Sequence, residues 1–109
     1  MISFEDFEKV DIRVGVIREV QDFPEARKPS YKIKVDFGEE IGAKWSSAQA
    51  TNYNKDELIG MQVVAVVNFP PKKIAGFASE VLILGVPQQD GQVSILTPTR
   101  TARIGGRVY

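Results

Sequence analysis

Residues 54–60, "NKDELIG", decide which small β-fold the chain adopts. Asn54 is a residue type that caps helices, and Glu57 is three residues later, where its side chain can accept the backbone N–H of Asn54. Gly60 is suited to end the helix. A short helix is therefore predicted here, although the sequence on both sides of it favours strands. The position of this helix along the chain separates one barrel topology from the others.

Three strands are predicted before this helix. The clearest is "YKIKVDF", residues 31–37, where apolar and charged residues alternate as in a half-buried strand. "DIRVGVIREV", residues 11–20, alternates until Ile17, where a β-bulge is predicted. "AKWSSAQA", residues 43–50, is a weaker third strand. Two prolines make the intervening "DFPEARKPS", residues 22–30, irregular.

Two further strands are predicted after the helix. "QVVAVV", residues 62–67, and "VLILGV", residues 81–86, are apolar without alternation, as is typical of strands covered on both faces. Asp90 and Gly91 form a hairpin turn signal that leads into "VSIL", residues 93–96.

The order of these elements predicts the fold. Ser3 and Asp6 have the spacing of a capping box, so a short helix is expected to open the chain. Three strands, a short helix and two more strands predict an all-β, five-stranded OB-fold, a Greek-key barrel. SH3-like barrels and sandwiches share many of these signals, but the helix between strands three and four favours the OB-fold. Residues 1–109 are expected to form a single domain.

The composition excludes several kinds of chemistry. The chain of 109 residues has no cysteine and no histidine, and its net charge is zero. Disulfides, zinc clusters, thiol nucleophiles and a Ser-His-Asp triad are therefore absent, and no metal or cofactor site is predicted. We expect a binding protein rather than an enzyme; catalysis by a spatial cluster of carboxylates stays open. Without a long apolar stretch or a signal-peptide pattern, the protein is expected in the cytoplasm with no membrane insertion.

The connection between the last two apolar runs suggests a contact surface. It reads "NFPPKKIAGFAS", residues 68–79, where a plain connector needs only turn residues and polar surface. Exposed apolar groups with a charged rim suit a surface that binds many different polypeptides. The alternative is a loop that packs on its own barrel. The residues proposed for peptide binding are Phe69, Ile74, Phe77, Phe23 and Trp45.

RNA binding is a second function that some of these residues suggest. OB-folds bind RNA by stacking bases on aromatic side chains and by placing lysine or arginine along the backbone path. Trp45, the single tryptophan, suits base stacking, a peptide groove or barrel closure. The residues of the predicted basic track are Arg13, Lys28, Lys32, Lys34, Lys72 and Lys73.

Five segments together resemble the CsaA family of protein-secretion chaperones. They are "VDIRVGVI" (10–17), "DFPEARK" (22–28), "VDFGEE" (35–40), "DELIGMQVVAVVNFPPKKIAGFASE" (56–80) and "GGRVY" (105–109). The resemblance implies an OB-fold homodimer that binds exposed segments of unfolded or precursor polypeptides. It also implies a role in protein export and contact with the export machinery.

More broadly, the chain resembles the tRNA-binding OB domain appended to methionyl-tRNA synthetase and to the β-chain of phenylalanyl-tRNA synthetase. The matching residues are Ala26, Lys28, Asn68, Lys73, Gly76, Ser79 and Glu80. Of these, Asn68 and Ser79 join the lysines as RNA-contact residues that the resemblance implies. The departures are Arg27 for aspartate, Pro29 for leucine, and Val81-Leu82 for glycine-methionine. They favour the chaperone branch and leave tRNA binding as the alternative.

The two terminal segments suggest an interface. The amphipathic "FEDFEKV", residues 4–10, and "ARIGGRVY", residues 102–109, are more than a small barrel needs. We expect them to pack across the two-fold axis of a homodimer.

Overall fold

The computed structural model describes residues 1–109. Two short helices and nine strands follow one another along the chain. They are α1 (Phe4–Glu8), β1 (Ile12–Asp22), β2 (Tyr31–Asp36), β3 (Ala43–Ala48), α2 (Lys55–Leu58), β4 (Gln62–Val66), β5 (Lys72–Ile74), β6 (Phe77–Ser79), β7 (Leu82–Ile83), β8 (Gly85–Pro87) and β9 (Val93–Ile95).

Five of the strands form an antiparallel sheet in the order β3-β2-β1-β4-β7, which curls into a nearly closed barrel. The long β1 pairs with β4 through residues 12–16 and with β2 through residues 16–22. Its register shifts between Ile17 and Glu19, which confirms the bulge predicted there. The OB-fold prediction is also confirmed, including the helix α2 between the third and fourth strands of the barrel.

The barrel interior is filled by the inward-facing residues of these strands. Leu58 of α2 is fully buried and joins the same core, so the helix closes one end of the barrel. At Gly15 a Cβ atom would collide with Val35 and Phe37, so only glycine lets β1 pass this close. The ten buried residues of the core are Ile17, Ile33, Val35, Phe37, Ala50, Leu58, Val63, Ala65, Val81 and Ile95.

The prediction of one continuous strand over residues 81–86 is wrong. Only β7 pairs with β4, and from Gly85 onward the chain forms β8, which pairs with β9. A Cβ at Gly85 would lie 2.8 Å from Val93 Cγ2, so the two backbones approach closely where the chain changes partner. The hairpin predicted at Asp90-Gly91 is present, with Gly91 at φ +86°.

Within the segment 68–79, residues 72–79 form a β-hairpin rather than a loop. β5 and β6 pair with Ile74 opposite Phe77, so only Ala75 and Gly76 remain for the turn. Both have positive φ, 48° and 82°, as a two-residue turn of type I′ requires. Alanine is uncommon in that conformation, so the sequence does not predict this hairpin.

Residues 103–109 run along the edge of β1 in the same chain. Val14 N–H donates to Gly106 O (2.9 Å), Gly105 N–H donates to Val14 O (2.8 Å), and Val108 N–H donates to Ile12 O (2.8 Å). This stretch of β1 lies before the part that pairs with β2. The backbone of the C-terminal segment therefore completes the sheet of its own chain.

Ser46 of β3 provides a test of the core. It is 1% exposed, and its Oγ has no hydrogen-bond partner. Because an unpaired buried hydroxyl is costly, Ser46→Ala is expected to raise the free energy of unfolding by about 1 kcal/mol. Chemical denaturation measures the change.

The matched control is Ser30→Ala. Ser30 is 8% exposed, but its Oγ donates to Lys28 O at 2.9 Å. Its removal is expected to lower the free energy of unfolding by about 1 kcal/mol. A loss of stability in both variants would contradict an unpaired hydroxyl at Ser46.

Candidate binding surface

The outer face of β2 and β3 places two lysines beside the single tryptophan. Lys34 lies opposite Trp45 and Lys32 lies opposite Ser47 in the antiparallel register. Since side chains alternate along a strand, the residues between them, such as Ile33, point into the barrel. The alternation seen in the sequence thus separates a buried apolar face from a polar face with a large aromatic ring.

Three aromatic rings from distant parts of the chain meet on this face. Phe77 of β6 lies at the centre, with ring centroids 5.4 Å from Phe23 and 6.1 Å from Trp45. The interplanar angles of 66° and 85° are edge-to-face, the arrangement that the ring quadrupoles favour. We call Phe23, Lys32, Lys34, Trp45 and Phe77 the aromatic–lysine face.

The two lysines lie over the rings. Lys32 Nζ is 4.9 Å from the ring centroid of Phe23 and 5.1 Å from that of Phe77. Lys34 Nζ is 5.9 Å from the centroid of Trp45. These are cation–π distances, so each ammonium group covers apolar surface while it stays hydrated on its other side.

The rings differ in their exposure. Phe23 is 3% exposed, so it supports Lys32 and Phe77 from below and offers almost no surface of its own. Phe77, Trp45 and Ile74 are half-buried, and they supply the apolar contact area of the face. A shallow cleft of about 510 Å³ adjoins Phe23 between the loop 22–30 and β2.

The positive charges of this region have no carboxylate partner. The five ion pairs of the chain involve other residues. The lysines left without an ion pair here are Lys28, Lys32, Lys34, Lys72 and Lys73. Uncompensated lysines of this kind attract anionic ligands.

Two acidic side chains on the same sheet have other partners. Glu19 lies across from Lys34 but accepts a hydrogen bond from Gln21. Asp36, at the end of the same row, accepts the N–H of Gly38, and this bond together with Arg18 lowers its pKa. Its negative charge is therefore held at the edge of the face.

The hairpin is attached to β3 by hydrogen bonds to the residues that follow Phe77. Ser47 N–H donates to Ser79 Oγ and Trp45 N–H donates to Glu80 Oε1, both at 3.0 Å. Glu80 N–H donates in turn to Trp45 O at 2.8 Å. The role of Glu80 was not predicted from the sequence, in which the only signal is its place directly after Ser79.

Several predicted residues lie outside the aromatic–lysine face. Asn68 accepts the N–H of Asp11 (3.0 Å) and donates to Lys9 O (2.8 Å), so it ties the start of the chain to the end of β4. Phe69, which is 52% exposed, follows at that end of the barrel and forms none of the aromatic pairs. Lys73 lies opposite Ala78, on the other face of the hairpin from Phe77.

Arg13, predicted on the basic track, is instead part of the contact with the C-terminal segment. Its Nε bonds Asp11 Oδ1 at 2.6 Å and its Nη1 donates to Gly105 O at 3.1 Å. The bond to Asp11 raises the pKa of Arg13. This guanidinium is therefore already paired, unlike the lysines of the track.

Comparison with known proteins identifies the family. The model of the putative tRNA-binding domain matches residues 12–107, nearly the whole barrel. The chain belongs to this family. Curated relatives include the methionine–tRNA ligases of Thermococcus onnurineus (39% identical) and Pyrococcus furiosus (40% identical), each aligned over 98% of this chain. The chain spans only 14% of the length of these ligases.

Solved structures place the chain beside the CsaA chaperones. The CsaA chaperone protein of Picrophilus torridus is 58% identical, covers 100% of both chains and superposes with a TM-score of 0.95. The chaperone CsaA of Bacillus anthracis is 48% identical, with a TM-score of 0.93 over 100% of this chain and 99% of its own. Within the tRNA-binding domain family, the resemblance to CsaA is confirmed.

The matching family is a binding domain rather than a catalytic one. The side chains bring together no group of three or more acidic residues of the kind that holds a metal ion. Neither helix has the length and apolar character needed to cross a membrane. Val81, which stands where the broader tRNA-binding pattern has glycine, is a core residue with 5% exposure.

Proposed function

We propose that the protein is a cytoplasmic molecular chaperone linked to protein export. It binds exposed segments of unfolded or precursor polypeptides on the aromatic–lysine face. The observation that carries this proposal is the 58% identity to a CsaA chaperone over the full length of both chains. The protein acts by binding and not by catalysis.

The geometry of the face supports this role. Phe77 and Trp45 offer ring surface, and Ile74 lies directly across from Phe77 on the hairpin. Lys32 and Lys34 cover these rings with flexible stems that are able to move aside when an apolar side chain arrives. A small apolar surface with a mobile charged rim accepts varied sequences, because no single side-chain shape is required.

tRNA binding is the second candidate. The family match and the lysines without carboxylate partners favour it. The Oγ of Ser79 accepts a bond from Ser47, which leaves its own proton free to donate to a phosphate. Peptide and tRNA would share Lys32 and Lys34, so we expect the two ligands to compete.

We further propose that the protein is a homodimer. The bonds of Asn68 to Lys9 and Asp11, and of Arg107 to Glu8 O, bring α1, the hairpin base and the C-terminal segment to one end of the barrel. Helix α1 buries none of its residues within the chain. Large apolar side chains exposed at this end are Ile2, Phe4, Val10, Phe69 and Tyr109. A second copy of the chain would cover them.

Phe77→Ala tests the peptide surface. If Phe77 is an anchor, the variant is expected to lose about 1–3 kcal/mol of affinity for an unfolded polypeptide. Because Phe77 also packs on Phe23 and Trp45, part of the change will appear as a lower denaturation midpoint. Affinity and midpoint are measured on the same preparation. Undiminished affinity of the folded fraction would show that the hairpin is only scaffold.

Phe69→Ala removes a ring at the hairpin base and reports whether the peptide-binding surface extends there.

The combined replacement of Lys28, Lys72 and Lys73 by alanine tests tRNA binding. We expect weaker binding and a log–log salt slope that falls by roughly one for each lost phosphate contact. The control is Lys9→Ala, since Lys9 pairs with Asp6 on α1. An unchanged affinity and salt slope in the triple variant would show that Lys28, Lys72 and Lys73 are not RNA contacts.

Sedimentation tests the dimer. At micromolar concentration the protein is expected to sediment as a dimer, and the double variant Phe4→Ser with Tyr109→Ser is expected to shift toward the monomer. Both side chains are exposed, so their replacement leaves the core intact. A wild-type monomer with both terminal segments intact would contradict the proposal.

A further inference from the structure

Glu80 and Trp45 bind each other through two hydrogen bonds. Trp45 N–H donates to Glu80 Oε1 at 3.0 Å, and Glu80 N–H donates to Trp45 O at 2.8 Å. The two residues are 35 positions apart in the chain. Both bonds involve the backbone of Trp45, whose place in β3 is set by pairing with β2, so they hold Glu80 and the end of the hairpin beside the indole.

This pair supplies two of the three hydrogen bonds that join the end of the hairpin to β3. β5 and β6 form a two-stranded sheet separate from the five-stranded one, and each has three residues. Beside the Glu80–Trp45 pair, Ser79 Oγ accepts the N–H of Ser47. Glu80 follows Phe77 by three residues, so the pair sets the distance between Phe77 and Trp45.

The presence of the Glu80 carboxylate on a surface whose lysines form no ion pairs also requires an explanation. Its negative charge opposes anionic ligands and weakens the field of Lys32 and Lys34. The Oε1 of Glu80 is, however, the acceptor for the N–H of Trp45, in a partly buried position on the edge strand β3. The hydrogen-bond acceptor, rather than the charge, explains the residue.

We propose that Glu80 is a positioning residue of the aromatic–lysine face. By holding the end of the hairpin to β3, it keeps Phe77 packed on the Trp45 ring over which Lys34 lies. Its effect on ligand affinity rests on the proposed function, whereas its effect on Trp45 does not. The role requires an acceptor at Oε1 and no negative charge.

Two neutral replacements separate these properties. Glu80→Gln keeps an oxygen acceptor, and Glu80→Ala removes it. Trp45 is the only tryptophan, so its fluorescence reports its surroundings without a label. In Glu80→Ala we expect red-shifted Trp45 emission, stronger acrylamide quenching, and affinity for reduced, carboxymethylated lactalbumin that is about threefold to tenfold weaker. Glu80→Gln is expected to match the wild type in all three. Affinities are expressed for the folded fraction, determined by denaturation.

Three results would overturn the proposal. The first is wild-type emission and quenching in Glu80→Ala, even if its denaturation midpoint falls, because that is the behaviour of a purely structural residue. The second is a Glu80→Gln variant that changes as much as Glu80→Ala, which would show that charge is what matters. The third applies if Glu80→Ala does not fold: wild-type emission in Glu80→Leu, which keeps the bulk and lacks the acceptor.

Failure of the proposed function is seen separately. If wild-type protein binds neither carboxymethylated lactalbumin nor unfractionated tRNA, the proposed function is wrong. Trp45 emission in Glu80→Ala and Glu80→Gln still decides the positioning role, because that measurement needs no ligand.

Discussion

The double pairing of β1 is the constraint on which the rest of the structure depends. This strand of eleven residues pairs with β4 through its first half and with β2 through its second half. The register shift after Ile17 bends the strand so that both pairings form. The barrel can curl around Gly15 because no side chain holds β1 and Phe37 apart there. This curvature carries the end of β1, the outer face of β2–β3 and the β5–β6 hairpin to one side. Residues far apart in sequence therefore share a single surface.

Much of this fold follows from local patterns in the sequence. The alternation in residues 31–37, the lost phase near Ile17, and the helix signals of residues 54–60 are each readable within one turn or strand. The missed features depend on contacts between segments. Strand 81–86 is apolar throughout, so no periodicity marks where it changes partner after Ile83. The hairpin turn uses Ala75 at positive φ, a conformation that the residue type argues against.

For the candidate site, the sequence predicted the kinds of side chain but not their arrangement. Lysines and aromatics stood out individually, yet Lys32 lies between Phe23 and Phe77 only because three segments converge. Convergence also buries Phe23, which was proposed from the sequence for peptide binding. The contact of Glu80 could not be predicted for the same reason. Its partner is the backbone N–H of Trp45, and every residue except proline has such a group.

The C-terminal segment along β1 has a consequence for solubility. An unpaired strand edge offers free N–H and C=O groups to any extended chain and invites uncontrolled edge-to-edge aggregation. Residues 105–108 occupy that edge through backbone bonds to Ile12 and Val14. The proposed binding of unfolded chains would increase this hazard, since such chains are rich in extended backbone. Covering this stretch of β1 with its own backbone removes one place where an extended chain could add to the barrel.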